Sequence, residues 1–236
     1  MEVKMDPGLT AINKIGRRHT SYLVYRNLFK SLRTVIQKYG KGNVLDVGCG
    51  NKPYQNLFND SVTNYTGCDI KQSPLNNVDI ICSATDIPLP DNSFNTVLCT
   101  QLVEHVYNYP IMLKEFHRLL DFNGILFLSG PMYWPVHGEP HDFFRFTKFG
   151  FEKILEEHDF EIMEILENGG AWATAGQSFV HAIEFSNTSN YAVRFARFLF
   201  FRGRLITIFH RIFSWLDKTD YCPTNTINYV IVAKKK

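Results

Sequence analysis

The stretch "NVLDVGCGNKPY", residues 43–54, decides the fold. A short apolar run ends on Asp46 and Val47, and Gly48 and Gly50 follow at once. An apolar run of this length bounded by glycine is a buried strand. Glycines at a strand exit serve a tight turn, or they let a ligand approach the backbone closely. A bare Gly-x-Gly does not choose between the two, so the flanking sequence must.

Upstream, "TSYLVYRNLFKSLRTVIQKYG" (20–40) has Leu23, Leu28, Leu32, Val35, Ile36 and Tyr39 at helical spacing, with Gly40 and Gly42 as stops. Downstream, "NYTGCDI" (64–70), "VDIICS" (78–83), "SFNTVLCT" (93–100) and "GILFLSG" (124–130) read as strands, with the amphipathic helix "YPIMLKEFHRLLD" between the last two. Strands alternating with helices predict an α/β fold, a doubly wound parallel sheet covered on both faces. A helix over 147–160, capped by Thr147, and a strand over 161–167 follow. "TINYVIVAKKK" is a final strand with a basic tail.

The 236 residues, 45% hydrophobic and 20% charged, fit a single globular domain. Its expected parts are an N-terminal helical segment (1–42), a ligand-binding core (43–131), a substrate-side loop, helix and strand (132–185), a helical insertion (186–222) and the last strand (223–236). A net charge of +2 gives no reason to expect a nucleic-acid partner. The five cysteines form no metal-binding spacing and read as reduced structural thiols. "MEVKMDPGLT" has no apolar export segment, and no run reaches the roughly 20 apolar residues of a spanning helix. The expected location is cytoplasmic, with the inner face of a membrane as the alternative.

Asp69 ends the second strand, 23 residues after Asp46. An acid there accepts from ribose hydroxyls in nucleoside-binding α/β folds. Asp86 follows the third strand and suits an adenine amino group, with Ile87 packing on the ring. A nicotinamide dinucleotide is disfavoured, because Pro53 stands where its third glycine belongs.

"VLDVGCG", "YTGCDI", "ATDIPLPDNSFNTVLCTQLVEHV" and "EFHRLLDFNGILFLSGP" together resemble the class I S-adenosylmethionine-dependent methyltransferases, most closely their type 11 small-molecule group. The resemblance covers about residues 40–131. It implies a Rossmann-like seven-stranded sheet with an antiparallel last strand, here with an N-terminal helix and a helical insertion before that strand. It also implies S-adenosylmethionine as cofactor. Asp46, Gly48, Cys49 and Gly50 then surround its methionine part, Asp69 holds the ribose, Ile70, Asp86 and Ile87 meet the adenine, and Gln101 lies beside the methionine end. One departure is Asn51-Lys52-Pro53, where many members carry a third glycine.

"GPMYWPVHGEPHDFFRFTKFG" (130–150) leaves the ligand end of the fifth strand. It offers Tyr133, Trp134 and Arg145 as acceptor contacts, and His141, with His137 as substitute, as a general base. In "QLVEHV" (101–106), Gln101, Glu104 and His105 share a helical face. A metal is not expected, since Gln101 replaces a hard ligand. Finally, 191–216 holds five arginines and no acid among aromatics, and Gly203 splits it into two helices. It covers the sheet edge, or it meets an anionic membrane surface.

The expected function is therefore methyl transfer to a small-molecule, saccharide-like or lipid-linked acceptor, with oxygen slightly preferred. The alternatives are a non-catalytic cofactor-binding accessory protein and a metal-assisted RNA methyltransferase.

Overall fold

A computed structural model describes residues 15–236; the stretch read for an export signal lies outside them. The elements run α1 (Tyr22–Tyr39), β1 (Gly42–Val47), β2 (Val62–Asp69), β3 (Ile80–Ile81), β4 (Phe94–Thr100), α2 (Tyr109–Leu119) and β5 (Leu120–Pro131). They continue with α3 (Lys148–Glu156), β6 (Phe160–Asn168), α4 (Ala171–Glu184), α5 (Tyr191–Arg202), α6 (Leu205–Thr219) and β7 (Asn228–Lys235). The strands form one seven-stranded sheet in the order β3-β2-β1-β4-β5-β7-β6. The first five of these are parallel, and β7 lies antiparallel between β5 and β6. The expected Rossmann-like sheet with an antiparallel last strand is what forms.

Alternation along the strands feeds two cores. Leu98, Phe127, Val230 and Val232 face Leu28, Leu32, Val35 and Ile36 of α1. Their neighbours Val97, Cys99, Leu126, Leu128 and Ile231 face Met112, Leu113 and Phe116 of α2, and Phe151 and Leu155 of α3. Each such side chain, fully removed from water, contributes about 1.5–3 kcal/mol. Strand order reverses between β1 and β4, which opens a crevice at their carboxyl ends, where ligands bind in this architecture.

The predicted alternation of strand and helix holds only from β4 onward. Between β1 and β2 there is a single 3₁₀ turn, Gln55–Leu57. Lys52 is left-handed (φ 53°) ahead of Pro53, a poor helix start. Between β2 and β4, Pro74, Pro88 and Pro90 punctuate the chain, and β3 shrinks to two residues.

α4 was not anticipated, because its inner face is small and polar: Ala173, Thr174, Gly176, Gln177, Val180 and His181. The helical layer thus begins at 171, ahead of the expected 186. The break at Gly203 is as predicted, with Arg204 left-handed (φ 64°) before α6. α5 buries no residue and α6 only Ile206 and His210. Among the described residues, no helix is long and apolar enough to cross a membrane.

Candidate functional site

The crevice is built on the turn after β1. Gly48 takes φ +72° and Gly50 φ +48°, both in the left-handed region that favours glycine. A Cβ on Gly48 would stand 3.0 Å from Leu102, whereas one on Gly50 would meet nothing within 4 Å. The backbone at Gly50 therefore faces open space. Its N–H donates to Oδ2 of Asp69 at 3.0 Å, which ties the turn to the end of β2. The N–H groups of Gly48 and Cys49 both donate to the Cys68 carbonyl, at 2.9 and 3.1 Å.

Where a third glycine is missing, a clamp takes over. Lys52 Nζ bonds Asp79 at 2.5 Å, and the same carboxylate oxygen accepts from Gly67 N–H at 2.7 Å. The side chain of Asn77 donates to the Asn51 carbonyl at 3.3 Å. The sequence substitution is thus matched by contacts to the β2–β3 connection.

Asp46 is 1% exposed and accepts from the Tyr65 hydroxyl at 2.7 Å. Burial pushes its carboxyl up to about 7, with Tyr65 and Lys52 opposing the shift and Asp69 adding to it. Burial also pushes the Cys49 thiol up to about 12, in keeping with an unreactive structural cysteine.

The apolar residue standing free beside Asp69 is Ile70, 74% exposed. Asp86 is also exposed. Ile87, expected against a ligand ring, is 2% exposed and belongs to the core. Its N–H donates to Glu115 at 2.9 Å and its carbonyl accepts from Arg118 at 2.9 Å, which pins the segment beneath the crevice. Gln101 leaves β4 with φ 52°, and its side chain donates to Ser129 Oγ at 3.1 Å. The expected shared helical face of Gln101, Glu104 and His105 does not form. Only Val103–His105 makes a 3₁₀ turn, and Gln101 lies outside it.

The loop after β5 returns across this end of the sheet. Met132 and Tyr133 N–H both donate to the Ile227 carbonyl just ahead of β7, at 2.9 and 3.0 Å. Tyr133 and Trp134 are partly exposed and pack on the buried His181, with ring centroids 6.1 and 4.6 Å away. Arg145, expected at the acceptor, is instead the strut of the loop. Its Nη1 and Nη2 bond the two Asp142 oxygens at 2.7 and 2.8 Å, and its N–H groups also reach the Trp134, Pro135 and Phe144 carbonyls. All five of its donors are thereby used internally. Arg145 in turn holds the Asp142 carboxyl down at about 2.

The two histidines of the loop differ. His141 is exposed, and its ring makes an edge contact with Phe143 at 6.1 Å. His137 is partly buried between the rings of His105 (4.6 Å) and Trp134 (6.4 Å). Burial, with the neighbouring His105, lowers its pKa. Next to it lies Glu104, which is 1% exposed and has no partner for Oε2. Burial pushes that carboxyl up to about 8. Glu104, His105 and His137 bring their ligating atoms within 4.8 Å of one another. The sequence gives no expectation of a metal here, and Glu104 and His105 read as structural or as lining the pocket mouth. The signal for the cluster is an Glu-His pair at the exit of β4 and a histidine after β5, its sheet neighbour.

A reversal of strand order, a glycine turn with open backbone and an acid closing β2 make a ligand crevice at the exits of β1 and β2. Residues 45–128 match the family model described as a methyltransferase domain. The chain is 26% identical over 174 residues to a probable S-adenosylmethionine-dependent methyltransferase of Mycolicibacterium smegmatis, covering 68% of this chain and 64% of that one. It is 31% identical to a demethylmenaquinone methyltransferase of Listeria welshimeri, covering 52% and 57% of the two chains. The chain spans about half the length of the curated relatives it matches. Its fold superposes on a SAM-dependent methyltransferase of Archaeoglobus fulgidus with a TM-score of 0.56 at 19% identity, covering 89% and 94%.

The turn fits the cofactor of this class. Open space at Gly50 and an exposed apolar residue beside Asp69 are what a nucleoside with an amino-acid tail requires.

Proposed function

We propose that this chain transfers the methyl group of S-adenosylmethionine to a small acceptor, with a hydroxyl oxygen as the preferred atom. The observation carrying the reading is the left-handed Gly48–Gly50 turn, open at Gly50 and bonded to Asp69. In this reading Asp46, Gly48, Cys49, Gly50 and Gln101 hold the methionine part, Asp69 accepts from the ribose hydroxyls, and Ile70 and Asp86 meet the adenine. Ile87 supports the floor through its buried side chain.

The bound cofactor supplies an already activated methyl group on a sulfonium. The protein's work is then alignment and exclusion of water. Tyr133 and Trp134 form the acceptor wall, held by the Arg145 strut. His141, with its ring free of the loop's internal bonds, takes the hydroxyl proton as general base. His137 is the substitute, although it is more enclosed.

The α5–α6 layer supports a lipid-linked acceptor. Tyr191, Phe195, Phe198, Ile208, Ile212 and Trp215 are all exposed. Arg194, Arg202, Arg204 and Arg211 stand exposed among them. Aromatics fringed by arginine suit an anionic lipid surface.

The test is cofactor binding by calorimetry, together with transfer of labelled methyl from the cofactor into a metabolite extract. A labelled small molecule is the expected result. Binding without any labelled product would make the chain an accessory protein, and label appearing only in RNA would replace the acceptor class.

A further inference from the structure

The cluster at the exits of β4 and β5 has features that acceptor alignment does not need. Glu104 is a carboxylate at 1% exposure whose Oε2 has no partner. An unpaired buried carboxylate oxygen is costly, and such a group persists where something neutralises it. Its other oxygen faces His105 Nε2 at 3.9 Å. The Nδ1 of His105 lies 2.6 Å from the His141 carbonyl, so Nδ1–H donates there and Nε2 keeps its lone pair. His137 repeats the pattern. Its Nδ1 lies 3.1 Å from the Pro135 carbonyl and 3.4 Å from Asp142 Oδ2. Imidazoles anchored through one nitrogen to a carbonyl or carboxylate, with the other nitrogen free, are the usual state of metal-binding histidines.

We infer that Glu104, His105 and His137 form a binding site for a borderline divalent cation of the Zn²⁺ or Co²⁺ class. Two imidazoles and one carboxylate match the preferences of these ions better than those of Mg²⁺ or Ca²⁺, which favour oxygen sets. Three protein ligands leave a coordination position open, as in catalytic rather than structural sites. A cation about 2.0–2.2 Å from each ligand sets ligand separations of roughly 3.4 Å. The ligating atoms here lie within 4.8 Å of one another, so the site requires them to draw together on binding. Arg145, whose charge acts on Glu104, is already held in a bidentate pair with Asp142. Gln101 donates its amide nitrogen to Ser129 Oγ at 3.1 Å. The site deepens the methyl-transfer reading by offering an acceptor oxygen a place to bind, but its existence does not depend on that reading.

The test uses the full chain without an affinity tag, stripped with a chelator and titrated with Co²⁺ alone. The expected result is one ion per chain, with a visible ligand-field band that Zn²⁺ displaces. Glu104→Gln and His137→Asn should each remove the band at equimolar Co²⁺, while His158→Asn, remote from the cluster, should retain it. Circular dichroism confirms folding of each variant, and His137→Asn, on a loop, serves if Glu104→Gln does not fold. No band with the wild-type chain, or an unchanged band in a folded His137→Asn, overturns the site. Cofactor calorimetry on the stripped protein separates the two ideas: binding there with no Co²⁺ site sinks this inference alone.

Discussion

The Gly50 amide donates to the Asp69 carboxylate across 3.0 Å, joining the turn after β1 to the last residue of β2. One side chain thereby fixes the turn and lies beside the space it opens. Asp69→Ala should lower cofactor affinity by roughly 10- to 150-fold, the equivalent of about 1.5–3 kcal/mol for bonds to a carboxylate. Asp69→Asn, which still offers an acceptor to Gly50, should recover part of that. Calorimetry on folded protein checks both, and an unchanged affinity in Asp69→Ala would remove the residue from the site.

Asp46 implies a pH dependence of stability. Its carboxyl titrates at about 7 in the folded chain, against about 3.9 unfolded. Between these values the native state binds more protons than the unfolded state. Its favourable contribution is present below about pH 4 and is lost as pH rises through about 7. Asp46→Asn should flatten that slope and stabilise the protein above neutrality by on the order of 4 kcal/mol. Urea midpoints across the range measure it, and parallel curves for the two proteins would contradict the assignment.

The Arg145 strut should be intolerant of lysine. An ammonium cannot reproduce the two parallel bonds to Asp142 together with three carbonyl contacts. Arg145→Lys leaves Asp142, whose side chain is 4% exposed, poorly paired. The expected loss is about 2–4 kcal/mol, or about 5–15 °C in melting temperature. Cofactor affinity should stay within about twofold, because the turn after β1 is untouched. A melting temperature equal to wild type would show that the loop does not depend on the strut.

If α5 and α6 lie on lipid, the protein should sediment with anionic vesicles at low salt and release at high salt. Arg194, Arg202, Arg204 and Arg211 changed together to Gln should abolish this, with transfer to a soluble acceptor preserved. Arg197 is left in place because it bonds the Ser186 carbonyl at 2.8 Å. Protein that stays in the supernatant at low salt would make this face a partner surface.

His141→Asn should leave cofactor binding intact and lower turnover by about 10²–10⁴-fold if His141 is the base. Near-normal turnover, with only a lower melting temperature, would reduce its role to packing against Phe143.

What was legible in the sequence was local. Asp46, the glycine turn and Asp69 follow from strand exits, and Thr147 caps α3 as read, accepting from Gly150 N–H at 3.1 Å. What was not legible depended on distant partners. Arg145 looked like an acceptor contact because nothing in its neighbourhood showed that Trp134 and Pro135 fold back onto it. Ile87 looked like a ring contact because the Glu115–Arg118 clamp lies on another element. Glu104 looked like a helix-face acid until Phe143 and Phe144 closed over its carbonyl, at 2.9 and 3.3 Å. α4 escaped because a face of alanine, glycine and glutamine carries no apolar stripe.

The position of β7 sets an order of assembly. β6 contacts the sheet only through β7, which is synthesised some sixty residues later, since β6 ends at 168 and β7 starts at 228. On the ribosome, β6 therefore has no edge to join while α4, α5 and α6 emerge. The loop after β5 waits as well, because Met132 and Tyr133 are fastened to Ile227. The end of the crevice built from β1, β2 and β4 is free to form early, whereas the end under the loop after β5 closes only with the arrival of β7.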